Sequence, residues 1–211
     1  VTTSKDSTAR LWSASSGECL QVLEGHRDAV FGAAFNSSSD MVATASKDMT
    51  ARLWSCETGK CLQLLWGHRG GVYTARFSPD GLLLVTASFD SIGRVWSCES
   101  GHCLHILRGH GDALYAADFS PGGSQVVTVS RDSMARLWSA HSGVCLRTLS
   151  GHKDSLYSTA FSPDGALLAT ASFDATAKLW EVASGQCVRT LEGHYASVYC
   201  VAFSPDGDAL V

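Results

Sequence analysis

A histidine, a serine and an aspartate recur together in this chain at a spacing that could support nucleophilic chemistry. The sets are His26, Ser46 and Asp48; His68, Ser88 and Asp90; His110, Ser130 and Asp132; and His152, Ser172 and Asp174. A serine activated by a histidine, itself oriented by an aspartate, is a template for acyl transfer. Each set also carries a tryptophan in fixed phase: Trp54, Trp96, Trp138 and Trp180. The recurrence argues against catalysis. A nucleophilic site is a single strained exception in a fold and needs a pocket and an oxyanion site, whereas this set returns in every unit. Mutual satisfaction explains it better. An indole offers only an N–H and a carboxylate only acceptors, while His and Ser do both, so a chain Trp–Ser–His–Asp can close on itself. No catalytic residue is expected.

The elements that hold these residues repeat with them. Trp12, Trp54, Trp96, Trp138 and Trp180 follow one another at intervals of 42 residues. Gly25-His26, Gly67-His68, Gly109-His110, Gly151-His152 and Gly193-His194 keep the same interval. Such a period is the signature of one supersecondary unit stacked several times. Within the unit 26–67, Val30 to Phe35, Met41 to Ser46, Thr50 to Trp54 and Cys61 to Leu65 read as four strands. Turns at Asn36–Asp40, Lys47–Met49 and Glu57–Gly59 separate them. Elsewhere the first turn is Ser78-Pro79-Asp80-Gly81, Ser162-Pro163-Asp164-Gly165 or Ser204-Pro205-Asp206-Gly207. Proline presets φ and glycine supplies positive φ, so these are tight turns. Four short strands with no helical period make an antiparallel meander. One such sheet cannot bury both faces. Stacking copies around an axis does so and leaves short edges.

The 211 residues read as one domain, 1–211, with units at about 26–67, 68–109, 110–151 and 152–193, and a split unit 194–211 plus 1–25. Hydrophobic residues at 45% suffice for a core, and a charged fraction of 17% is too low for a disordered chain. The net charge of −4 does not point to a polyanion. No apolar run approaches bilayer length, so no membrane partner is expected. The chain opens on Val1 in mid-repeat, as if cut from something longer or from a ring opened at an arbitrary point.

Of the eight cysteines, Cys19, Cys61, Cys103, Cys145 and Cys187 share one phase, Cys56 and Cys98 another, and Cys200 stands alone. Cys56 could meet Cys61 across a hairpin, and Cys98 could meet Cys103. Small, mostly buried thiols at repeat positions fit a reducing compartment better, which points to an intracellular protein, cytoplasmic or nuclear. There is no Cys-x-x-Cys, and neither a metal nor a cofactor is expected.

The Gly-His pair, the Ser-Pro-Asp-Gly turn, the Ser-x-Asp step and the closing Trp are the features by which the whole chain resembles the WD40-repeat β-propeller family. One departure is visible. The Asp after the closing Trp is missing, replaced by Ser four times and by Glu181 after Trp180. The resemblance implies an all-β propeller of four-stranded antiparallel blades, with the His, Ser, Asp and Trp sets acting as structural tetrads. Five repeats form part of a larger propeller on this reading. If the ring instead closes within the chain, His194 would be served by Ser4, Asp6 and Trp12 from the other terminus.

The resemblance also places the Gly-His loops and Ser-x-Asp turns on one rim. Three phases vary there. Phe31, Tyr73, Tyr115, Tyr157 and Tyr199 put an aromatic at the start of each innermost strand, either as a collar for a peptide side chain or as packing between blades. Lys5, Lys47, Phe89, Arg131 and Phe173 precede the turn Asp and change chemistry from unit to unit. Arg27, Arg69, Gly111, Lys153 and Tyr195 follow the Gly-His pair and make the rim locally basic, offset by Asp28, Asp112 and Asp154. Trp66 is the one tryptophan out of phase, where other units carry Glu, Arg or Ser, so an exposed anchor is expected there. These features point to a non-catalytic scaffold for protein or peptide partners. The alternatives are a structural domain of a larger assembly and, more remotely, a propeller enzyme. Interrupted basic residues argue against nucleic acid, and no small-molecule substrate is expected.

Overall fold

A computed structural model of the chain describes residues 1–211, with strands and no helix. The first sheet has three strands: β1 (Thr2–Thr3), β2 (Ala9–Trp12) and β3 (Cys19–Leu23). Four four-stranded sheets follow. The second holds β4 (Val30–Phe35), β5 (Met41–Ser46), β6 (Ala51–Ser55) and β7 (Cys61–Leu65). The third holds β8 (Val72–Phe77), β9 (Leu83–Ser88), β10 (Gly93–Ser97) and β11 (Cys103–Leu107). The fourth holds β12 (Leu114–Phe119), β13 (Gln125–Ser130), β14 (Ala135–Ser139) and β15 (Cys145–Leu149). The fifth holds β16 (Leu156–Phe161), β17 (Leu167–Ser172), β18 (Ala177–Glu181) and β19 (Cys187–Leu191). Each sheet is a meander of sequential antiparallel neighbours. The first strands β4, β8, β12 and β16 touch one another in that order, so they line the inside of the array.

The second strands show why stacking is obligatory. From Val42 to Ser46, Leu84 to Ser88, Val126 to Ser130 and Leu168 to Ser172 every residue is buried. Half-buried sheets alternate apolar and polar residues, but a strand covered on both faces does not need to. The Ala and Thr that fill these strands are small enough for the next sheet to approach.

Trp54, Trp96, Trp138 and Trp180 are each the wedge between two sheets. Trp54 packs with Ala9, Leu11 and Leu23 of the preceding sheet, and Trp96 with Ala43, Ala51, Leu53 and Leu65. Trp138 and Trp180 repeat this one and two sheets further on. An aromatic of this size buries roughly 150–250 Å², which stabilises by about 4–6 kcal/mol at 25 cal/mol per Å². Trp12 has no sheet in front of it and is 41% exposed, against 1% for Trp54.

The five sheets form an open arc. Residues 198–203 do not join β1; they turn back on themselves, with Phe203 bridged to Leu210 and Ala202 bonded to Val211. His194 is exposed, while the Asp6 carboxylate accepts from the Thr8 amide and hydroxyl and the Asp6 N–H donates to Ser4 Oγ. The fifth set is therefore split.

The cysteines correct one expectation. Cys19, Cys61, Cys145 and Cys187 are exposed, because the outermost strand has no strand beyond it. Cys98 is the buried one, and burial pushes its thiol up to about 12. All eight are free.

Candidate partner-binding rim

The recurring polar set closes through threonine, not serine. Trp54 Nε1 donates to Thr44 Oγ1 at 2.8 Å. The same hydroxyl lies 2.8 Å from His26 Nε2, and His26 Nδ1 lies 2.8 Å from Asp48 Oδ2. A carboxylate only accepts, so Nδ1 carries the proton and Nε2 accepts from Thr44. Thr86, Thr128 and Thr170 take the same place beside Trp96 and His68, Trp138 and His110, and Trp180 and His152.

Ser46, Ser88, Ser130 and Ser172, expected in this chain, stand outside it for a reason of register. Val42 lies opposite Trp54, which puts Thr44 on the near diagonal. Ser46 is two residues further along, roughly 6–7 Å beyond the indole's reach. Its hydroxyl instead donates to the carbonyls of Asp28 and Ala29 at 3.0 Å and accepts from Asp48 N–H at 3.1 Å. Ser88, Ser130 and Ser172 do the same in their sheets. The serine thus holds the 47–49 turn against the Gly-His loop.

The Thr–His–Asp order mimics a nucleophilic relay, but Thr44 is fully buried and its acceptor site is taken by the indole. Burial alone would raise Asp48. Hydrogen bonds from Thr50, the Arg27 amide and His26 outweigh it and hold the carboxyl at about 2. Asp90 and Asp132 are likewise held at about 2, against the same opposing burial, by their His and a loop amide. Burial lowers His26 and His152 despite the adjacent carboxylate. The glycine of each Gly-His pair has its own requirement. Gly25 sits at φ +151°, and a Cβ there would come within 3.3 Å of the Trp54 ring and 2.6 Å of the Arg52 guanidinium.

The aromatics are aimed by bulges. Val30 pairs with Ser46 and Gly32 with Ala45, so Phe31 is the extra residue between them. Tyr73, Tyr115 and Tyr157 occupy the same bulge in β8, β12 and β16. A bulge re-aims a side chain at a sheet end. Here it brings the predicted residues into one continuous run. Phe31 stacks on Tyr73 at 5.2 Å, Tyr73 meets Tyr115 at 5.4 Å, Tyr115 meets Tyr157 at 4.9 Å, and Tyr157 meets Tyr199 at 5.3 Å. The rings contact one another and also remain partly open.

The variable turn residues lie on the same rim, because Lys47 N–H bonds Ala29 O at 2.9 Å and Arg131 N–H bonds Ala113 O at 2.9 Å. Phe173 reaches the aromatic run, 6.2 Å from Tyr157. Lys5, Lys47, Phe89 and Arg131 are exposed beside the run without ring contacts. Trp66 is 75% exposed just past the outer strand β7 and is not brought together with the run. Of the loop phase, Arg27, Arg69 and Lys153 are exposed and give only their backbone N–H groups to the turn aspartates.

Sequence reasoning missed two charged residues on the inner strands. Arg76 of β8 reaches Ala33 O at 3.4 Å, and Asp118 of β12 is half-buried; desolvation raises its carboxyl against the influence of Arg76. The repeat held the signal: the equivalent positions are Ala34, Ala160 and Ala202.

A search among curated proteins gave no match. A family model described as "WD domain, G-beta repeat" matches residues 17–55, 59–97, 101–139, 143–181 and 185–211. Each of the first four matches starts at an outermost strand and runs through the third strand of the next sheet, so the family unit straddles two sheets. WD40 repeats generally serve as non-catalytic scaffolds for protein–protein interaction. The chain belongs to the WD40-repeat family.

Proposed function

We propose that this chain is a non-catalytic scaffold that holds a protein or peptide partner on the rim carrying the Gly-His loops. The observation that carries this reading is the aromatic run from Phe31 to Tyr199, flanked on the same rim by turn residues that differ from sheet to sheet. Rigid hydrogen-bonded loops keep Lys47, Phe89, Arg131 and Phe173 in place at little ordering cost, which is what a preorganised binding surface requires. Aromatic and arginine side chains dominate interface energetics. Free, exposed cysteines in the outer strands fit a reducing, intracellular compartment on the same reading. The test is affinity capture with the wild-type chain and with Phe89→Ala and Arg131→Ala. Loss of the same partner from the variants, at unchanged melting temperature, supports the rim. Equal retention by all three removes it.

A further inference from the structure

The rim repeats an acid–base pairing in two sheets and lacks it in two others. Asp28 Oδ2 lies 3.5 Å from Lys47 Nζ, and Asp112 Oδ2 lies 3.8 Å from Arg131 Nε. In the third sheet both partners are absent together: Gly70 and Phe89 stand in their places. In the fifth sheet the acid remains as Asp154 while the cation has become Phe173. Asp154 Oδ1 accepts from the Ser155 amide at 2.6 Å and from its hydroxyl at 3.2 Å, which leaves Oδ2 unused. The Lys153 side chain makes no ion pair with it, and Arg131 is held on Asp112.

Asp154 lies in the loop before β16, and the next residue's carbonyl, Ser155 O, accepts from Phe173 N–H at 2.8 Å, which sets the Phe173 turn beside this loop. Tyr157 lies 6.2 Å from Phe173 at an interplanar angle of 57° and 5.3 Å from Tyr199 at 45°. Tyr157 itself is half-buried among these rings, while Phe173 is 46% and Tyr199 65% exposed. Burial first, then the nearby Tyr115, Tyr199 and Asp154, raise the Tyr157 phenol, against the opposing charge of Arg131.

We propose that Asp154, Tyr157, Phe173 and Tyr199 form a receptor for the guanidinium of an arginine side chain carried by the partner protein. This rests on the reading that the rim binds a protein. A guanidinium is weakly hydrated, lies flat on an aromatic face and donates to a carboxylate at its edge, a combination that a compact, strongly hydrated ammonium cannot match. The site supplies both features at once, and the cation it would hold is the one the repeat pattern withholds from Asp154.

The test uses the 211-residue chain, isotope-labelled, titrated by NMR with acetyl-Gly-Ala-Arg-Ala-Gly-amide and with the same peptide carrying citrulline or lysine. Shifts confined to residues near 154–157, 173 and 199 are expected with arginine. Binding should be weaker by roughly tenfold with citrulline, which keeps the shape and loses the charge. Phe173→Lys installs the pairing already present between Asp28 and Lys47. It should abolish the shifts while leaving melting unchanged, and Asp154→Asn should weaken binding by about tenfold. Equal binding of arginine and citrulline peptides, or unchanged binding by Phe173→Lys, overturns the proposal. Lysine binding as tightly as arginine overturns its guanidinium specificity. If the arginine peptide fails while Phe89→Ala still loses the captured partner, only this receptor is removed and the rim reading stands.

Discussion

The Trp96 indole nitrogen lies 2.9 Å from Thr86 Oγ1, joining the third strand of its sheet to the second inside a buried interface between sheets. The same hydroxyl serves His68 Nε2 at 2.8 Å, so one threonine satisfies two buried groups. Thr86→Val should therefore destabilise by about 2–4 kcal/mol, since it strands both an N–H and a ring nitrogen. Ser88→Ala leaves that chain intact and should cost about 1–2 kcal/mol. Chemical denaturation of the two variants checks the order; a larger loss for Ser88→Ala would contradict the threonine assignment.

Trp96→Ala should cost roughly 3–5 kcal/mol by cavity formation. Trp12→Ala, at a residue 41% exposed, should cost less. Equal losses in thermal melts would mean that Trp12 is covered in solution.

Acid should unfold the protein in two stages. Asp48, Asp90 and Asp132 are held at about 2, below the ordinary 3.8, so their contribution is full above pH 3.8 and lost as pH falls toward 2. His26 and His152 are lowered from 6.5, so the folded state resists their protonation and stability also declines as pH falls below 6.5. Both effects have one sign. Stability measured by denaturant titration should be flat above neutrality, decline below pH 6.5 and collapse below pH 4. A maximum near pH 5 would refute this.

Met49, Ser91, Ser133 and Ala175 occupy positive φ between 65° and 68° at equivalent turns. A non-glycine residue pays about 1–2 kcal/mol in this region, partly offset by the unfolded-state entropy that glycine adds. Ala175→Gly should raise stability by roughly 0.5–1 kcal/mol. Gly109→Ala, at φ +149° and with a Cβ 3.5 Å from the Trp138 ring, should lower it by about 1–3 kcal/mol.

On the rim, Lys47→Ala should leave melting unchanged, because its contact with Asp28 is exposed. Tyr73→Ala should lower melting slightly as well as weaken partner capture, since Tyr73 is half-buried between Phe31 and Tyr115. A melting temperature identical to wild type would show that the aromatic run is not packed in solution.

Much of this architecture was legible before any coordinate. The period of 42 residues, the turn glycines and prolines and the alternating short strands specify a meander of repeated sheets, because local backbone preferences act over a few residues. The polar set was legible in composition but not in connection. Serine and threonine both recur in phase, and only strand register tells which hydroxyl stands diagonal to the indole. The aromatic phase was visible as well, yet a one-residue bulge is silent in the sequence and decides where Phe31 and Tyr157 point.

By itself, then, the sequence determined the repeated unit, its strand count and the family, since these follow from short-range chemistry copied at a fixed interval. The tertiary structure decided the rest. It chose Thr44 over Ser46, exposed most of the outer-strand cysteines, split His194 from Asp6, and brought the Phe173 ring to 6.2 Å from Tyr157. Each of those outcomes depends on which surfaces meet in space: His26 and Thr44, 18 positions apart, meet only in the correct strand register, and Ser158 and Cys200, 42 apart, only where neighbouring units pack.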